Sequence, residues 1–136
     1  MKKFEILSHT ADLKIKSFGK TEKELFSNML LAMIESLQAE IEKTERKIQK
    51  SIKIKSSGFP TLLVDFLSEV LYLTQIDKAI FKDIKFDKFS KTEIQARLFG
   101  QKVKRFNEDI KAVTYHGLNV HQKKDGSWEA TVLFDI

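Results

Sequence analysis

The chain opens on alternation. Phe4 and Ile6 alternate with Lys3 and Glu5, and Leu13 and Ile15 with Lys14 and Lys16. A period of two predicts two short strands, joined through the polar stretch Ser8-His9-Thr10-Ala11-Asp12. After Gly19, Thr21 and Glu24 have the spacing of a capping box, in which each side chain satisfies a free backbone N–H at a helix start. Leu25, Phe26, Met29, Leu30, Met33 and Leu37 then recur at helical spacing, predicting a helix to about Gln38. Ile52 and Ile54 alternate with Ser51, Lys53 and Lys55, a further one-sided strand. Ser56-Ser57-Gly58-Phe59-Pro60 breaks it. Pro60 suits a first helical turn, where its missing N–H costs nothing. The second helix shows an apolar stripe of Leu63, Phe66, Leu67, Val70 and Leu71, with Asp65, Ser68 and Glu69 on the other side. The remainder reads as strands over 80–86, 92–99, 111–115, 118–122 and 128–134, with Asp125-Gly126 as a hairpin turn before the last. Helices separated by runs of strands predict one α+β domain over residues 1–136. The expected architecture is a two-layer sandwich, a mainly antiparallel β-sheet with two helices packed on one face.

Composition narrows the chemistry. The 136 residues are 42% hydrophobic, enough for a core in one domain of ordinary size. There is no cysteine, which excludes disulfides, thiolate metal sites and thiol nucleophiles. The first residues hold no continuous apolar run, and no segment reads as the ~20 apolar residues of a membrane span, so a cytoplasmic protein is expected. Net charge is +5, from 24 Lys and Arg against 19 Asp and Glu. That permits contact with RNA or an acidic surface. The clearest basic strip is Lys47, Lys50, Lys53 and Lys55. Aromatic residues do not interleave with it, so it reads as a charged sheet edge that resists aggregation.

The familiar catalytic patterns are missing: no HExxH, no Walker A loop, no GxGxxG and no GxSxG. Acids carry what chemistry there is. Asp12 has the strand parity of Lys14 and Lys16, away from the apolar positions, and also suits an Asx-type turn. Asp65 and Glu69, four apart, share a helix face, either half a metal site or a solvated surface. In the last strand Trp128, Ala130, Val132 and Phe134 take one face, and Glu129, Thr131, Leu133 and Asp135 the other. Order running to Ile136 would set the Asp135 side chain beside a main-chain carboxylate, the oxygen ligands that Ca²⁺ and Mg²⁺ prefer.

Several blocks together resemble the archease family. Ser8-His9-Thr10-Ala11-Asp12 is similar to its opening motif, and Gly19-Lys20-Thr21 with Glu24-Leu25-Phe26 to the continuation into the first helix. Leu62-Leu63-Val64-Asp65-Phe66-Leu67 and Glu69-Val70-Leu71-Tyr72 resemble its second helix. Lys111-Ala112-Val113-Thr114-Tyr115-His116 resembles its most recognisable internal motif, and Phe134-Asp135-Ile136 its ending. The order and nearly the whole length agree. One loop departs: Gly100-Gln101 and Arg105-Phe106 stand where the family often has Gly-Glu and Arg-His.

The resemblance implies a compact α+β fold and a protein that is not itself an enzyme. Its role would be to activate an RtcB-type RNA ligase, the GTP-dependent enzyme that joins tRNA halves after intron removal. Archeases promote the guanylylation of that ligase on a histidine and permit multiple turnovers. The resemblance also implies a divalent metal, calcium first, then magnesium or manganese. Its ligands would be Asp12, Asp135 and the terminal carboxylate of Ile136. His9, Lys104, Lys111 and His116 become candidates for contacting the ligase or supporting the site. The partners implied are the ligase and, through it alone, tRNA, with no membrane and no DNA. Two other classes fit the residues. One is a small metal-dependent hydrolase or nuclease using His9 or His116 as base. The other is a general RNA-binding or chaperone module.

Overall fold

The computed structural model describes residues 1–8, 12–41 and 46–136. Its elements run β1 (Phe4–Ser8), β2 (Asp12–Gly19), α1 (Glu22–Ser36), β3 (Ala39–Glu40), β4 (Lys47–Lys55), α2 (Phe59–Asp77), β5 (Ala79–Phe89), β6 (Glu93–Lys102), β7 (Arg105–Phe106), β8 (Ala112–Gln122) and β9 (Trp128–Asp135). All six strand pairings among the described residues are antiparallel. The α+β class and its two helices are as expected. The strands divide into three sheets, ordered β1-β2-β9-β8, β4-β6-β5 and β3-β7.

The helices form where local chemistry starts them. The Glu24 N–H donates to the Thr21 hydroxyl at 3.1 Å, while the Glu24 carboxylate accepts from the Lys20 N–H at 3.1 Å, one residue earlier than a strict capping box. α1 stops at Ser36, short of the expected Gln38. Leu37 caps it, and Gln38 turns to φ 47°, a left-handed conformation that cannot continue the helix. α2 begins with Pro60 in its first turn. By length and composition α2 is long and apolar enough to cross a membrane, contrary to the expectation that no segment would be. Its apolar positions are spent on the core instead: Leu62, Leu63, Val64, Phe66, Leu67 and Val70 are fully buried.

The core joins the two larger sheets through the helices. α1 packs on β1, β2 and β9 of one sheet and on β5 of the other, and α2 on β8 and on β4, β5 and β6. Phe26 stands at the centre, with ring centroids 5.4 Å from Phe59, 5.6 Å from Phe66 and 5.1 Å from Phe89. Such pairings add to the area they bury.

The strands expected over 111–115 and 118–122 are one strand, β8. Thr114 pairs with Leu133 and Asn119 with Thr131, so residues 115–118 oppose a single residue of β9. Gly117 takes φ 65° at the crest of this bulge, where a residue without Cβ turns at no steric cost. Tyr115 and His116 stand on this bulge, and both are exposed.

Candidate functional site

β2 and β9 are neighbours in the middle of the four-stranded sheet, and their register decides the geometry. Leu13, Ile15 and Ser17 of β2 and Ala130, Val132 and Phe134 of β9 point into the core. Alternation turns Asp12 and Asp135 outward. The register sets Asp12 directly opposite Asp135, and both side chains are exposed. Directly opposed residues share a face with Cβ atoms about 4.5–5.5 Å apart, and like charges there destabilise the pair. Among the described residues no Lys or Arg forms an ion pair with either carboxylate.

The end of β9 is held from its other side too. Ala112 of β8 lies opposite Asp135, and the Lys111 N–H donates to the Asp135 carbonyl at 2.7 Å. Ile136 follows, half-buried against the core. It lines a hollow of about 220 Å³ with Ile6, Leu13 and Ile110 on one side and the exposed Glu108 and Asp109 on another. The two outward carboxylates suit a hard cation by donor type and charge. Among the described residues no three Asp, Glu or His side chains converge.

The other candidates are scattered. His9 lies outside the described residues. Lys111 adjoins the pair through its backbone, with its side chain exposed. His116 sits on the β8 bulge, its N–H donating to the Thr114 hydroxyl at 3.3 Å. Lys104 belongs elsewhere: its N–H donates to the Glu40 carbonyl at 2.8 Å. The departing loop around it has a structural task. The N–H groups of Val103, Asn107 and Glu108 donate to the carbonyls of Lys78, Gln38 and Leu37. It thereby satisfies acceptors that helix ends leave open.

One contact was not legible in the residue pattern. The Tyr115 hydroxyl donates to the Asp65 carboxylate, tying the bulge to α2 across fifty residues of sequence. This bond, with some burial, holds the phenol above its ordinary pKa of 10.0, because removing the proton would set two anions side by side. Asp65 therefore has a tyrosine for a partner. Both residues stand in blocks that the sequence singles out, but nothing local relates them.

Comparison with known proteins bears on the whole chain. The model of the archease protein family matches residues 4–136. A protein archease of Methanosarcina barkeri is 37% identical, covering 99% of this chain and 97% of that one. The solution structure of a Methanobacterium thermoautotrophicum protein superposes with a TM-score of 0.74 at 27% identity, covering 100% of both chains. A Thermotoga maritima crystal structure, described as an archease and possible chaperone, shares the fold with a TM-score of 0.68 at 18% identity, covering 97% of this chain and 96% of that one.

Proposed function

Because this chain belongs to the archease family, we propose that it is a non-catalytic activator of an RtcB-type, GTP-dependent tRNA-splicing RNA ligase, working beside it in the cytoplasm. The observation that carries the reading is the opposition of Asp12 and Asp135 at one end of the β2–β9 pair, within a chain matched to the family over nearly its whole length. Two exposed carboxylates forced together by register repel each other. A sheet that keeps them together is better suited to holding a cation than to standing alone. Asp12, Asp135 and the Ile136 carboxylate would hold a divalent metal, calcium by preference, through oxygen ligands. When bound, the metal would neutralise this acidic corner and fix its shape for recognition.

The chain's own residues then supply a rigid surface rather than a reaction. Asp135 is anchored from both neighbouring strands. Lys111 sits at the border of the pair, and the β8 bulge with Tyr115 and His116 opposes Val132, three residues in from Asp135. Asp65 braces that bulge from α2. The test is guanylylation of the host's ligase with and without this protein, followed by RNA joining with RNA in excess. The expected result is faster guanylylation and many joinings per ligase at substoichiometric protein, with no nucleotide consumed by the protein alone. Absence of stimulation with the host's own ligase would overturn the proposal.

A further inference from the structure

The solvent face of the β4-β6-β5 sheet carries a charge pattern that the carboxylate site leaves unexplained. Register assigns it residue by residue. Across the sheet, Lys53 lies opposite Gln95, which lies opposite Lys88, and Ser51 opposite Arg97, which lies opposite Lys85. Lys47 and Lys55 extend the β4 row, and Lys82 stands at a register break in β5. Against these cations the face sets Asp83, Asp87 and Glu93. The surplus accounts for most of the chain's net charge of +5.

Two of the acids are already occupied. Arg97 grips Asp87 through two hydrogen bonds of 3.0 and 2.9 Å. Glu93 lies 2.6 Å from Lys88 and 3.9 Å from Lys55, and its carboxyl is held below the usual range by Lys88 first, then Lys55 and Lys53. Among the described residues Lys47, Lys53, Lys82 and Lys85 form no ion pair. Protection of sheet edges accounts for lysines on β4 or β5. It does not account for the cations of both edges sharing one face, where seven Lys and Arg stand against three acids.

We propose that this face binds the phosphate backbone of RNA directly. Strands lie about 4.8 Å apart, and alternate residues along one strand about 6.8 Å apart, so the cations form a grid rather than a point site. The amides of Gln49, Gln95 and Gln101 lie on the same face and donate hydrogen bonds to phosphate or sugar without adding charge. Phe99 is the one aromatic in the central β6 row and is half-buried, so no succession of bases stacks here. Binding is therefore indifferent to base sequence and strongly dependent on salt. The choice of RNA over other polyanions rests on the proposed function, while the charge argument does not. This face belongs to a different sheet from Asp12 and Asp135, so RNA and a metal can be held independently.

The test uses the whole protein and a labelled single-stranded RNA of mixed sequence, followed by fluorescence anisotropy over a salt series without ligase. Contacts from Lys47, Lys53, Lys82 and Lys85 predict a log–log slope near −3, at about 0.7 per phosphate on a single strand. The triple variant Lys53→Gln, Lys82→Gln, Lys85→Gln should lose about two units of slope and on the order of 100-fold in affinity at 0.1 M salt. Lys3→Gln, Lys20→Gln, Lys124→Gln removes the same charge from exposed positions elsewhere and should change binding far less. Circular dichroism checks that both variants fold. Equal losses in the two triples, or no salt-dependent binding by the wild type, would overturn the proposal. So would an acidic polypeptide that displaces RNA at equal charge concentration, which would assign the face to a protein partner. Ligase stimulation that survives in the Lys53, Lys82, Lys85 variant while RNA binding is lost would support two separable faces. Retained RNA binding without any stimulation would count against the ligase reading alone.

Discussion

Replacing Asp12 by Asn should stabilise the protein without metal and harm it with metal. The register puts the Asp12 and Asp135 side chains directly opposite, with Cβ atoms about 5 Å apart. Two unit charges at that distance in water repel by about 0.8 kcal/mol. Screening at 0.1 M salt, where the Debye length is about 10 Å, lowers this to about 0.5 kcal/mol. Asn keeps the shape and removes one charge, so in chelator Asp12→Asn should melt about 2 °C above the wild type. Calcium reverses the order. Ligand at a hundred times its dissociation constant stabilises the native state by about 2.7 kcal/mol, roughly 10 °C here, and the variant should forfeit most of that. The assay is differential scanning calorimetry of both proteins in chelator and in a calcium series, with binding measured by isothermal titration. A variant that melts lower in chelator and gains the full calcium increment would refute the reasoning. It would mean that Asp12 is a turn residue with local hydrogen bonds and no share in a cation site.

Three further outcomes are expected. Gly100→Ala should lose about 3 kcal/mol or more in urea unfolding, because its new Cβ would lie 1.9 Å from the Ile80 carbonyl oxygen and 2.8 Å from the Phe81 ring. Tyr115→Phe should lower the melting temperature at pH 8 and match the wild type progressively as pH rises above 10. The phenol's pKa is raised in the fold by its bond to Asp65, so its stabilisation is complete below 10 and lost through the folded value. A gap that stays constant to high pH would remove the bond as its cause. A C-terminal extension, which converts the Ile136 carboxylate to an amide, should weaken both calcium binding and ligase stimulation, measured against an N-terminally extended protein. Equal stimulation by the two would show that this carboxylate takes no part.

Features made within one stretch of chain were legible in the sequence. The Thr21 cap, Pro60 in the first turn of α2 and both apolar stripes follow from neighbours within four residues. The misjudged boundaries have equally local causes, in the left-handed Gln38 and in the Gly117 crest that interrupts the alternation of β8. β3 and β7 are two residues long, too short to show any period. The candidate site was half legible. Strand parity turned Asp12 and Asp135 away from the core, but no spacing rule relates residues from opposite ends of a chain, and their opposition exists only in the folded sheet. The basic strip was seen on β4 alone, because the contributions of β5 and β6 to the same face depend on register. Asp65 and Tyr115 were missed as a pair for the same reason.

The β2–β9 pairing also orders events during folding. The β4-β6-β5 sheet and α2 draw on one contiguous stretch of chain, residues 47–102, and β8 and β9 form their own hairpin. Contacts of short range close first, since little loop entropy opposes them. Joining β2 to β9 brings Asp12 to Asp135 from nearly the full length of the chain and is the slowest closure available. On this ordering the carboxylate pair is built at the last seam to close. A cation there would act as a latch on the finished molecule, so hydrogen exchange at the β2–β9 seam should slow on calcium addition more than exchange in the β4-β6-β5 sheet.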